Sequence, residues 1–310
     1  PTARPFHLLM KDLAVTATSS FYNGTTGGVT PGEPLGLRIL RFPLTRILLA
    51  IVFFMVPFLL IQAGATHFFE VKLFSRLGQL FGACMGCLSY AFYVTKVEKR
   101  AVFELSFTGS PKEYGTGFVV GGLMICASVA SIASMGGLRI VAFTPNVLIV
   151  LPLLMHLTVG IIEEMLMRSI IFRVLQDSLG TWIALATSSL VFGAMHLVND
   201  NVTVLAIANI TAAGVVLAAA YLLTGRLWLC AGMHAAMNFF QDGIFSIAVS
   251  GHVVKTGLLL TERSGPDWLT GGAFGIEGSA VDLTLVVLAG AGMLVLAQRR
   301  GRIVRPFWKR

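Results

Sequence analysis

Charge is what this chain lacks. Of its 310 residues only 12% are Asp, Glu, Lys or Arg, about half the share of a soluble globular domain. That excludes an ordinary soluble fold and makes the chain a polytopic membrane protein. The net charge of +8 does not point to a nucleic-acid partner, because the basic residues gather at the ends of apolar runs, as the positive-inside rule requires. Cysteine is also scarce. Cys84, Cys87, Cys126 and Cys230 all lie in apolar segments. Cys84-Met-Gly-Cys87 has CxxC spacing, but no second pair or histidine is near it, so buried packing residues are expected rather than a redox or zinc site. Residues 1–36, rich in Thr, Ser and Gly, hold no apolar stretch long enough for a signal-peptide core.

What is present is a series of apolar runs long enough to cross a bilayer. The expected fold is an all-α polytopic bundle of about eight transmembrane helices, near 44–63, 78–95, 116–135, 146–172, 181–199, 203–224, 227–249 and 281–298. With both termini cytoplasmic, the inner segments hold 17 Lys and Arg against 5 in the outer ones, with Arg168 set aside. The bias alternates correctly with eight spans. Four regions follow. Residues 1–43 read as a flexible polar cytoplasmic N-terminus. Residues 44–115 hold two peripheral spans and an amphipathic connector, with a helix at the membrane interface expected over 96–115. Residues 116–250 form a core helical bundle. Residues 251–310 comprise an outer Gly-rich loop, the last span and a basic cytoplasmic tail. The loop's composition suits either an ordered cap or a flexible linker.

Three apolar segments carry polar residues that packing alone does not call for. Glu163-Glu164-Met-Leu-Met-Arg168 sits inside the fourth run. An ionisable residue at the bilayer centre costs about 2.5–3.5 kcal/mol on insertion scales, which makes it a functional candidate by default. Glu164 and Arg168 are i, i+4 on a helix, in the better order for an ion pair. Glu163 is rotated about 100° away and is free for another partner. His156, seven residues earlier, either lines the same cavity or is hydrogen-bonded near the outer interface. Phe192-Gly-Ala-Met-His196 follows in the fifth run, with Asn199 expected to cap or hydrogen-bond its helix end. A lone histidine on an apolar face is more often a satisfied core residue. His234 and Asn238, i, i+4 in the seventh run, either donate two hydrogen bonds to one oxyanion or act as interhelical glue. Three such sets on three helices would form a polar cavity if they converge.

In this order and on successive apolar helices, the three motifs resemble the CAAX-prenyl-protease and bacteriocin-processing (Abi, CPBP) family of intramembrane proteases, with its EExxxR, FxxxH and HxxxN or HxxxD signatures. Gly225-Arg-Leu-Trp228 also resembles the family, and the likeness extends over about 116–250. The resemblance implies an intramembrane endopeptidase. Glu163 would be the base that activates water, His196 would help hold that water, and His234 and Asn238 would stabilise the oxyanion. Glu164 and Arg168 would be a structural ion pair. The HExxH pair that supplies two zinc ligands on one helix is absent. The cofactor is then either none, the preferred reading, or a divalent metal such as zinc held by Glu163, His196 and His234 with an open position. The implied partners are membrane lipid and a peptide or protein substrate, lipidated or bacteriocin-like. Two other classes compete. One is a non-catalytic immunity or scaffold protein that binds a peptide or partner. The other is a proton-coupled transporter, disfavoured because no internal repeat is visible.

Overall fold

The computed structural model describes residues 34–252 and 257–309. Most of the flexible N-terminus expected over 1–43 lies outside the described residues, and of its remainder Leu35–Arg41 is helical. Among the described residues six helical stretches are long and apolar enough to cross a membrane. They contain α1 (Pro43–Phe68), α2 (Lys72–Tyr93), α3 (Ser110–Ser134), α4 (Val150–Glu164), α7 (Val204–Thr224) and α9 (Ala280–Arg299). Helix α4 continues through a π-helical segment, Met165–Phe172, into α5 (Arg173–Leu179). The chain is a multi-pass, all-α membrane protein, but the expected count of eight full spans is not met. The fifth apolar run becomes the shorter α6 (Thr181–Met195), and the seventh becomes α8 (Leu227–Phe239), which continues into a π-helical segment, Phe240–Ile244. At 1.5 Å per residue, a 15-residue α6 covers only about 22 Å.

Helix α8 is the centre of the bundle. Leu227 and every residue from Cys230 to Phe239 are buried, as expected for a helix apolar all round. Its close neighbours are held by small residues. A Cβ at Gly117 or Gly121 of α3 would collide with the backbone carbonyls of Leu229 and Met233, so this Gly-xxx-Gly pair lets the two backbones touch. Helix α4 runs antiparallel on another side. A Cβ at Gly160 would lie 2.7 Å from the Ala231 carbonyl oxygen and 3.1 Å from the Ala235 Cβ. Eight residues before Glu164, His156 Nε2 lies 2.8 Å from Asp242 Oδ2, just past the C-terminal end of α8. Eight residues before Asp242, His234 meets Glu164. Equal offsets on two antiparallel helices make these contacts two rungs of one register. His156 is thus hydrogen-bonded, and its partner Asp242 is a residue the motif reading did not single out.

Two features depart from the sequence expectations. The connector over 96–115 is not a continuous amphipathic helix: a π turn, Val94–Glu98, and a 3₁₀ turn, Phe103–Leu105, precede α3. Glu98, Arg100 and Glu104 turn inward instead, while Lys96, Lys99 and Lys112 stay exposed. Glu98 bonds Arg46 at 3.1 Å and Arg100 at 2.6 Å, and Arg173 approaches Glu98 at 3.4 Å and Asp177 at 3.5 Å. Glu104 takes Arg100 at 2.5 Å and the Tyr90 hydroxyl. Burial alone pushes the Glu104 carboxyl up, but Arg100 and then Arg173 outweigh it, and it is held below the ordinary carboxylate range. A depressed carboxyl contributes stability at neutral pH and loses it only as pH falls through the lowered value. This network ties α1 and α2 to the end of the α4–α5 stretch. The second departure is a two-stranded antiparallel sheet, in which β1 (Leu138–Phe143) pairs with β2 (Leu259–Arg263) across a bulge between Ile140 and Ala142. The Gly-rich loop is therefore an ordered cap where it is described. Among the cysteines only Cys230 is buried, and Cys84 is exposed on α2.

Arg173→Ala leaves Glu98 and Glu104 short of a cation and should lower stability by about 3–5 kcal/mol, the usual cost of breaking a buried pair. Arg139→Ala, which removes the exposed pair with Glu262, should change little. Thermal unfolding of the two variants in detergent provides the comparison.

Candidate active site

Glu164 ends α4 facing α8, and it is fully buried. One of its oxygens, Oε1, accepts from Arg168 Nη1 at 3.0 Å and lies 2.8 Å from His234 Nδ1. Arg168, one turn on, donates from Nη2 to the Gly214 carbonyl of α7 at 3.0 Å. Its guanidinium lies over the Phe192 ring of α6, 4.7 Å from the centroid, a cation–π contact. One arginine thus joins the α4 stretch to α6 and α7, and through Glu164 to α8.

The two adjacent glutamates have different surroundings. Glu163 keeps 28% of its side-chain surface exposed, and its Oε2 lies 3.8 Å from His234 Nε2; the Glu164 side chain is 0% exposed. The 100° step between neighbours on a helix explains the difference: one carboxylate is sealed into the ion pair and the other opens towards solvent-accessible space.

Phe192 links the two motif histidines. Its ring makes edge contacts with His196, centroids 5.0 Å apart, and with His234, centroids 5.9 Å apart. His196 sits at the C-terminal end of α6, half-buried, with Nδ1 2.8 Å from the Phe192 carbonyl oxygen. A carbonyl only accepts, so Nδ1 carries the proton and the neutral ring presents Nε2 as an acceptor. The Glu164 carboxylate likewise fixes His234 with a proton on Nδ1, as second carboxylates commonly do for functional histidines. Asn238 follows His234 by one turn of α8 and is buried. The structure therefore joins Glu163, Glu164, Arg168 and His234 by close polar approach and brings His196 in through Phe192. The Asn199 backbone N–H bonds the helix end at the His196 carbonyl, while its side-chain amide donates to the Ser250 carbonyl at 2.9 Å.

Among the described residues no three His, Cys, Asp or Glu side chains converge in an arrangement that could hold a metal ion. Nδ1 of His196 is engaged by the Phe192 carbonyl and Nδ1 of His234 by Glu164, which leaves Nε2 of each ring for any further contact.

Arg168→Ala would strand Glu164 in the bundle, and the yield of folded protein from membranes should fall sharply, on the scale of about 3–5 kcal/mol. Arg168→Lys should not restore it, because a single ammonium cannot span Glu164, Gly214 and the Phe192 face as a planar guanidinium does. Monodispersity in size-exclusion chromatography and unfolding temperature report both outcomes.

Comparison with known proteins adds a family. Residues 145–240 match the family model described as type II CAAX prenyl endopeptidase Rce1-like. No curated protein and no solved structure matches the chain. The matched residues take in α4, the π segment and α5 through α8, with all three motifs on them, so this stretch is similar to the CAAX prenyl-protease family.

Proposed function

We propose that the protein is an intramembrane endopeptidase in which Glu163 activates water, with no metal in the step. The match of residues 145–240 to a protease family model supports a peptidase in general terms. The observation that carries the finer reading is the split between the two glutamates: Glu164 is sealed by Arg168 and His234, while Glu163 is open and stands 3.8 Å from His234 Nε2. A water hydrogen-bonded to Glu163 lies within the reach of a general base, about 2.6–3.2 Å. His196 Nε2 accepts from the same water and holds it. The water oxygen attacks the peptide carbonyl carbon as its proton passes to Glu163. The carbonyl oxygen becomes an oxyanion, which Asn238 and the imidazolium form of His234 stabilise by hydrogen bonds. Glu163 then gives its proton to the leaving amine as the carbon–nitrogen bond breaks. The substrate is a peptide or protein reached from the membrane. A prenylated C-terminus, suggested by the family description, and a bacteriocin-like peptide are the two classes to assay.

Purified wild type in detergent should cleave such a peptide, and chelator should not stop it. Glu163→Gln should lower the rate at least about 10²-fold with little change in yield, since an amide is cheaper to bury than a carboxylate. His234→Ala and Asn238→Ala should each cost about 10²–10³-fold, the scale of a lost oxyanion donor. Glu164→Gln should act through stability instead. Activity abolished by chelator and restored by zinc would refute the metal-free step. Full biological function in Glu163→Gln would leave the scaffold or immunity reading.

We also propose that both termini are cytoplasmic. The charge bias gives the direction, and the fold sorts the loops consistently. Both strands of the sheet come from segments assigned outside, and Arg46, Glu98, Arg100 and Arg173 all meet at one end, assigned inside. In a cysteine-free variant, a cysteine at position 265 should react with an impermeant reagent only from the outer face. Reaction from the cytoplasmic face alone would invert the topology.

A further inference from the structure

His196 opens the turn after α6, where its own N–H and that of Leu197 bond the Gly193 and Ala194 carbonyls. The backbone N–H of Asn199 returns to the His196 carbonyl at 3.1 Å, but the Asn199 side chain reaches away to the Ser250 carbonyl. Ser250 is in turn fixed by the outer cap. Its N–H and its hydroxyl both donate to Glu277 Oε2, at 2.7 and 2.9 Å. The other Glu277 oxygen takes Gln241 Nε2, at 3.4 Å, from the turn that follows α8. The Glu277 backbone carbonyl accepts from Asn209 of α7 at 2.8 Å. One cap residue thus holds four places: the turn after His196 by way of Ser250, the segment around Ser250 itself, the end of α8, and α7. Beside it, the Phe274 carbonyl accepts from the Gly251 N–H at 2.9 Å. The Phe274 ring is buried in one apolar cluster with Phe192, Met167 and Ile210. Phe192 is the ring against which His196 and His234 both rest.

We propose that Glu277 is a positioning residue for His196: through Ser250 and Asn199 it fixes the turn on which that imidazole stands, while Phe274 backs the ring it leans on. The proposal rests on the peptidase reading for its effect on rate, and on geometry alone for its effect on the turn. The role needs the shape and hydrogen bonds of the Glu277 side chain more than its charge, because its side-chain partners are neutral donors. A glutamine can keep an oxygen on Ser250. Its amide N–H can then meet Gln241 Oε1, a buried acceptor with no partner.

The test uses the full-length protein in detergent with Glu277→Ala, Glu277→Gln and Asn199→Ala. Asn199→Ala removes only the last link and leaves the cap intact, so it serves if Glu277→Ala does not fold. In amide hydrogen exchange read by mass spectrometry, the segment 196–202 should exchange at least about tenfold faster in Glu277→Ala and Asn199→Ala. Glu277→Gln should match wild type, and the β1–β2 pair should be unchanged by Asn199→Ala. In cleavage assays, Asn199→Ala and Glu277→Ala should lower kcat about tenfold or more, as small misplacements of a reacting group do, with KM nearly constant. Glu277→Gln should rescue. In a His196→Ala background neither change should lower the residual kcat further, since both act through the missing ring. Unaltered exchange in 196–202 overturns the proposal, as does the same fold-loss of kcat with and without His196. The exchange readout needs no substrate. A wild type that cleaves nothing while the exchange pattern holds would refute the peptidase reading and leave the strut standing.

Discussion

A single carboxylate oxygen governs the centre of this protein. Glu164 Oε1 is shared by Arg168 and His234, from two different helices, in a bundle with no water-like medium to stabilise any of the three groups alone. Charges taken out of water are tolerated when paired and hydrogen-bonded, and are costly otherwise. Meeting that demand dictates much else. Arg168 reaches Glu164 and also takes the Gly214 carbonyl and the Phe192 face, while its Nε has no hydrogen-bond partner. His234 must present Nδ1, which leaves Nε2 turned towards Glu163. In the proposed mechanism, the nitrogen used for chemistry is thus the one that the structural contacts leave over.

Such geometry needs helices that cannot slide. Small residues supply it on both sides of α8: Gly117 and Gly121 let α3 lie against the backbone at Leu229 and Met233, and Gly160 lets α4 approach Ala231 and Ala235. Between lipid-soluble helices close van der Waals contact replaces the hydrophobic drive of water-soluble cores. The His156–Asp242 bond then marks the same register two turns away. At the opposite end, the arginine–carboxylate network locks α1 and α2 onto the α4–α5 stretch, so the two helices that looked peripheral are anchored to the one that carries both glutamates.

The sequence made the local part of this legible. An i, i+4 Glu–Arg pair, a neighbouring acid turned aside and a His-xxx-Asn face are statements about helix periodicity, and apolar length announces the membrane. What it hid depends on distant pairing. Asp242 is an ordinary polar residue after an apolar run until His156 is set opposite. Glu98, Arg100 and Glu104 look like a solvated surface stripe because alternating charge reads the same whether it faces water or three arginines. Asn199 sits where helix caps sit, and only the outer cap, far along the chain, gives it another acceptor. The strand Leu138–Phe143 is too short and too apolar to be told from a frayed helix end without its partner. The span count differs for a related reason: α6 stops at a polar turn over 196–201, and α8 passes into a π-helical segment, Phe240–Ile244.

The sheet has a consequence for how the molecule is made. β1 is synthesised before α4 and pairs with β2, which comes after α8, so every helix bearing a motif residue lies between the two strands in the chain. Chains emerge N-terminus first, and Leu138 has no partner until Arg263 has been translated and carried across. The loop-closure penalty for such a long excursion grows only slowly with length, and most of it is already met once the intervening helices have packed. The sheet is a clasp fastened late in biogenesis. During synthesis the interior carboxylates and histidines are assembled under an unfinished roof, and the roof is completed only after the bundle beneath it exists.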